Sequence, residues 1–177
     1  MIFEISFDSF HVYIYKMSFK EYKFSFEEVD DIKSLSKDDA ALLKQARKAT
    51  KNAYAPYSNF FVGAAALLSN DKIITATNQE NASFPAGLCA ERVLLSTISS
   101  LHPKIKIKTI AISYDNKHGE SNHPITPCGI CRQSFVEYEQ RLKQPIRLIL
   151  SGLTGKIFII QSASLLLSLS FGASDLL

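Results

Sequence analysis

The sequence has little net charge: 20 lysines and arginines against 17 acidic residues leave +3 over 177 residues. It has no long basic run, so no electrostatic footprint for nucleic acid is evident. The nearest approach, K-I-K-I-K at 104–108, alternates. Lys104, Lys106 and Lys108 then share one face and Ile105 and Ile107 the other, the pattern of a half-exposed strand. Cysteine is scarce and odd in number, three in all, which argues against a secreted disulfide framework. The opening M-I-F-E-I-S-F-D-S-F has no basic n-region, and Glu4 and Asp8 break its apolar run. It therefore does not read as a signal peptide. The apolar tail S-L-L-L-S-L-S-F (164–171) is far too short to span a bilayer. No membrane association is expected, and the cytoplasm is the expected compartment. Internal repeats and low-complexity segments are also missing.

What is present suits one domain with a full-sized core. Apolar residues make up 46% and charged residues 21%, an ordinary balance for a globular chain. Residues 1–29 alternate apolar and polar and read as one or two strands. Met17 is a second candidate start, with 1–16 upstream of it, and 1–37 reads as an N-terminal extension to a catalytic domain at 38–177. From Asp38 to Ala53 the pattern turns helical, with Ser36 as N-cap and acid in the first turn. F-F-V-G-A-A-A-L-L (60–68) and K-I-I-T-A-T-N (72–78) flank S-N-D as a hairpin. Helices are predicted over 89–100 and 129–142, and strands over 106–114, 146–150 and 156–160. Helices interleaved with apolar strands make a three-layer α/β domain.

Chemistry concentrates at the three cysteines. Cys89 opens C-A-E-R, and Cys128 and Cys131 stand in P-C-G-I-C-R-Q. Both motifs fall at predicted helix starts, where free N–H groups and the helix dipole favour a thiolate. Two helices starting side by side could aim three thiolates at one point. Three protein ligands with a fourth position open is the arrangement of a catalytic zinc site, not of a closed structural one. No histidine is placed to close it: His118 and His123 fall in a polar loop, and His11 and His102 are remote. Glu91, two residues after Cys89, is within reach of a water in the open position and can carry its proton. Three thiolates oppose acidification of that water, and the guanidinium of Arg92 would withdraw charge from them. A surface Glu-Arg pair in a first helical turn would look the same were the cysteines not there.

C-A-E-R at 89–92 together with P-C-G-I-C-R-Q at 127–133 resembles the cytidine deaminase family of small zinc enzymes. The resemblance extends to A-P-Y-S-N-F-F-V-G-A-A (55–65) and N-Q-E-N-A (78–82). It implies a three-layer α-β-α sandwich around a mixed central sheet of about five strands. It also implies one Zn2+ per chain, with Cys89, Cys128 and Cys131 as ligands. Glu91 matches the proton carrier of the wider zinc deaminase class, and the Ala90 carbonyl matches the acceptor for the substrate's exocyclic amine. Asn78 and Glu80 match the pair that holds the ribose hydroxyls; at alternate strand positions an amide and a carboxylate can bracket a diol. Phe60 matches the aromatic packed on the pyrimidine, though phenylalanine in such a run is otherwise a core residue. The implied activity is hydrolytic deamination of cytidine and 2′-deoxycytidine in pyrimidine salvage, by a homotetramer.

The chain departs from the family pattern in places. The N-terminal 37 residues exceed the short form of these enzymes. Leu166-Leu167-Ser168 stands where Leu-Leu-Pro is frequent, with Phe171 at the following aromatic position, and Phe84 stands where tyrosine is frequent. Three other readings start from the same residues. One is a deaminase of another aminated nucleoside, such as an aminonucleoside antibiotic. A second is a structural zinc module without catalysis. The third is a redox pair at Cys128 and Cys131, which leaves Cys89 and Glu91 unused.

Overall fold

The computed structural model describes residues 2–7, 10–15 and 18–176. Helix α1 (Lys37–Ala49) starts where the sequence places its cap: Ser36 Oγ accepts from the Asp39 amide at 3.1 Å, with Asp38 and Asp39 in the first turn. It ends at Ala49, short of the predicted Ala53, because the backbone tightens into a 3₁₀ turn over Thr50–Asn52 before Pro56. Helix α2 spans Ala90–Leu101 and α3 spans Gly129–Leu142.

Strands β1 (Ile2–Phe7) and β2 (Phe10–Tyr15) pair with each other in a separate two-stranded sheet. The alternative start Met17 lies outside the described residues. The main sheet holds β3 (Glu27–Val29), β4 (Phe60–Leu68), β5 (Ile73–Thr77), β6 (Ile107–Asn116), β7 (Arg147–Ser151) and β8 (Ile157–Ile160). Its order is β3-β8-β7-β6-β4-β5, with β6 and β7 parallel and the other neighbours antiparallel. The sheet is mixed, as expected, but has six strands where about five are read from the sequence. The extra strand is β3, which pairs with β8 at the sheet edge. It falls within the 1–29 stretch read as one or two strands, and what the alternation does not give is that this part joins the main sheet.

The basic run at 104–108 also departs from expectation. β6 begins at Ile107, and Lys104 sits at φ 71°. Lys104 and Lys106 therefore belong to the turn after α2, and the shared lysine face of a strand does not form.

The layers follow from alternation along the strands. Ala64, Ala66 and Leu68 of β4, Ile110 and Ile112 of β6, and Leu148 and Leu150 of β7 face α2 and α3. Ala65, Ala111 and Ile149 point the other way, to Leu42, Leu43 and Ala46 of α1. Small residues on β4 let α1 approach closely. A Cβ on Gly63 would stand 2.2 Å from the Ala46 carbonyl oxygen, so only glycine fits there. Arg147 locks α1 to β7 with a two-pronged bond to Asp39, 2.7 and 2.9 Å. On the other face Glu139 of α3 is buried and accepts from Ile146 N, Ala163 N and Ser162 Oγ, fastening the C-terminal segment. With both faces fixed, α2 and α3 point their N-termini at the same end of the sheet.

Candidate active site

Cys89 is the N-cap of α2 and Cys128 the N-cap of α3. Neither side chain caps its helix, so both sulfurs are free to face one another, while the backbone closes the first turns through Val93 N to Cys89 O and Arg132 N to Cys128 O. Cys131, in the first turn of α3, is fully buried. The three are free thiols whose sulfurs lie within 4.8 Å of one another. Cys89 to Cys128 measures 3.7 Å and Cys128 to Cys131 measures 3.5 Å. Ligands about 2.3 Å from one ion at tetrahedral angles stand about 3.8 Å apart, so this donor set fits zinc.

The electrostatics also call for a cation. Hydrogen bonding to Cys131, with help from Cys128 and the charge of Arg92, lowers the Cys89 thiol to about 6 against the effect of burial. The bond to Cys89, together with burial, pushes Cys131 up. Negative charge on one sulfur thus opposes ionisation of the next, and a divalent ion relieves the conflict.

Glu91 occupies the first turn of α2 and is 6% exposed. Burial raises its carboxyl to about 7, with the charge of Cys89 adding to the shift. Ala90 is fully buried beside it. Both line a cavity of about 470 Å³ shared with Cys89, Cys128, Phe60, Asn78 and Glu80. The structure thus brings seven of the nine singled-out residues to one pocket. Cys131 stands behind it through its sulfur contact, and Arg92 through its charge.

Asn78 and Glu80 are not strand residues: β5 ends at Thr77. They flank Gln79, which makes single bridges to Tyr54 and Leu88. Asn78 grips the start of β4, accepting from Val62 N at 2.8 Å and donating to Phe60 O at 2.9 Å. Glu80 accepts from the amides of Tyr57 (2.9 Å) and Ser58 (3.3 Å) and from the Ser58 hydroxyl. Against the upward push of burial, these bonds hold its carboxyl below the ordinary value. Asn78 keeps one N–H and one lone pair, and Glu80 keeps lone-pair capacity, for a ligand in the pocket.

Phe84, 74% exposed, lines the pocket mouth and meets Tyr57 edge-on at 5.9 Å. Phe171 lies elsewhere, over the outer face of α3 with Gly129, Ile130 and Gln133. Sequence reasoning missed Arg132. It bonds Pro127 O, Thr126 Oγ1 and Leu166 O, and so holds the approach to Cys128 against the C-terminal segment. It also missed Ile125 and Thr126, which form a second wall of the pocket; the position of Arg132 directly after Cys131 was the one available signal.

Residues 36–143 match the family model for the cytidine and deoxycytidylate deaminase zinc-binding region. The chain is 39% identical over 101 residues to a cytidine deaminase of Mycoplasma genitalium, covering 56% of this chain and 72% of that one. A cytidine deaminase structure from Burkholderia pseudomallei superposes at TM-score 0.65 with 34% identity, over 77% of this chain and all of that one. One from Mycobacterium tuberculosis superposes at 0.60 with 29% identity, over 77% and 99%.

Proposed function

Because the chain belongs to the zinc-binding cytidine and deoxycytidylate deaminase family, we propose that its pocket converts cytidine and 2′-deoxycytidine with water into uridine or 2′-deoxyuridine and ammonia, Glu91 carrying the protons. The protein is a zinc-dependent hydrolytic cytidine deaminase. The observation that carries the site assignment is the convergence of three sulfurs on one point beside a buried carboxylate, at the floor of a nucleoside-sized cavity. Zinc held by Cys89, Cys128 and Cys131 supplies a Lewis acid that makes water acidic near neutral pH.

This chain's residues do the rest. Glu91 takes a proton from the water as its oxygen adds to C4 of the ring, and delivers that proton to N3. It then passes the second water proton to the departing amino group, which leaves as ammonia. A carboxyl raised by burial suits both directions of that transfer. The Ala90 carbonyl accepts from the exocyclic amine, and Phe60 packs on the ring. Asn78 and Glu80 hold the sugar with the hydrogen-bonding capacity that β4 and the Tyr57-Ser58 turn leave them. Arg92 and the two helix N-termini offset the negative charge of the thiolates.

A substrate panel tests this reading. Cytidine and deoxycytidine are expected to be turned over well, and free cytosine and deoxycytidine monophosphate poorly. Activity on the monophosphate alone would overturn the nucleoside assignment.

Residues 38–177 form the catalytic unit in this reading, with 1–37 an extension that lends β3 to the sheet edge. The working state in this reading is the homotetramer that the family resemblance implies, and the exposed Phe84 and Leu88 at the pocket mouth, with Tyr57 against Phe84, offer apolar surface for such an association. Ligation through free thiolates suits the reducing cytoplasm, where cell fractionation should recover the protein. The full chain and a variant lacking 1–16 are both expected to elute as tetramers by light scattering and to be equally active. A monomeric active enzyme, or an insoluble truncation, would contradict these two points respectively.

A further inference from the structure

We infer that Tyr114 is a positioning residue for the substrate: one face of its ring backs Phe60 and its hydroxyl holds the 117–126 loop, so that it sets the separation of two pocket walls. The inference rests on the reading of that pocket as the pyrimidine site.

The register places Val62 opposite Tyr114 and Phe60 opposite Asn116. Phe60 and Tyr114 are therefore diagonal neighbours on one face of the β4–β6 pair. Their rings stack with centroids 4.9 Å apart and planes 14° from parallel. Tyr114 is 1% exposed and Phe60 lines the pocket. Phe60 thus rests on Tyr114 and cannot settle back into the sheet.

The other end of Tyr114 reaches the loop. Its hydroxyl lies 3.2 Å from Nδ1 and 3.4 Å from Nε2 of His123, and 3.5 Å from the Glu120 carbonyl. The far side of the loop is braced as well. Ser121 Oγ accepts from Asn116 N, and Ser121 O accepts from Thr154 N. Gly155, at φ 75°, brings the β7–β8 turn so near that a Cβ there would stand 1.9 Å from the Asn122 carbonyl oxygen. The loop then delivers Ile125 and Thr126 to the pocket and runs into Pro127 and Cys128. One buried side chain thereby touches the support of both walls, Phe60 on one side and the Ile125-Thr126 approach on the other.

A residue that only filled the core would affect stability alone. A residue that sets the slot should affect binding of the ring more than the chemical step. Tyr114→Leu and Tyr114→Phe, purified as zinc-loaded protein, separate the two. Tyr114→Leu removes the stacking partner; its KM for cytidine is expected to rise about tenfold with kcat within about threefold and zinc content unchanged. Tyr114→Phe keeps the stack and loses the hydroxyl; its KM should rise by a smaller factor, about threefold, while amide hydrogen exchange over 118–125 accelerates. An unchanged KM in a folded Tyr114→Leu would overturn the inference. If that variant does not fold, unaccelerated exchange in Tyr114→Phe overturns it instead. Absence of cytidine turnover in the wild type would strike the pocket reading itself, a separate result.

Discussion

Glu91→Ala is expected to yield a folded, zinc-loaded protein whose turnover of cytidine falls by a factor of about 10² to 10⁴, or about 3 to 5 kcal/mol of transition-state stabilisation. Glu91 lies in the first turn of α2, buried beneath the pocket and two residues from Cys89. Of the carboxylates lining that cavity, Glu80 is the other, and its oxygens are engaged by Tyr57 and Ser58. Among the described residues no spare acid is therefore poised to replace Glu91. Water could still be acidified, but nothing would move its protons to N3 and to the leaving amine. Glu91→Gln, which keeps the volume and loses the exchangeable carboxyl proton, should fall nearly as far. The loss should appear mainly in kcat, because the interaction removed is one made during the reaction. A variant that keeps its zinc and retains near-normal kcat would remove Glu91 from the mechanism. One that loses its zinc as well would give the residue a structural part in the metal site.

Much of this site was legible because chemistry and local structure coincide in the chain. Cys89 and Cys128 sit where helix periodicity begins, so the same letters announce both a helix start and a ligand. The hairpin and the three helices follow from apolar period and turn residues within a few positions. What was hidden depends on contacts across the sheet. β3 lies at the end of the stretch read as one or two strands, but its place at the edge of the main sheet is set by its pairing with β8. Lys104 and Lys106 carry the alternation of a strand, yet they fall in the turn after Pro103, where a left-handed residue redirects the chain. Asn78 and Glu80 were read as strand neighbours bracketing a sugar. They lie beyond the strand, and each is first of all a clasp on backbone amides near Phe60. Tyr114 is one tyrosine in an apolar run until β4 lays Phe60 upon it.

Cys131→Ser should be the other severe change, and its first readout is the metal, not the rate. Cys131 is fully buried and packs in the core shared by Ala90, Leu94 and Phe135. A serine hydroxyl there is a poor zinc ligand and adds a polar group to an apolar surrounding. Zinc content is expected to drop from about one per chain to a small fraction, since two thiolates no longer complete the protein's share of the site. Activity should fall below measurement, and thermal stability should fall with it. A ligand present at about a thousand times its dissociation constant stabilises the native state by about 4 kcal/mol, and that contribution is lost with the metal. Chelation of the wild type supplies the matching control. It should abolish turnover and lower the melting temperature, and added zinc should restore both. Cys131→Ser should respond to neither treatment. A redox pair at Cys128 and Cys131 predicts the opposite pattern, sensitivity to oxidant and indifference to chelator. A structural zinc module predicts the melting shift but no turnover to lose. Because thiols must give up their protons to hold the ion, the metal's contribution to the wild type fades in acid, and the stability gap between wild type and Cys131→Ser should narrow as pH falls.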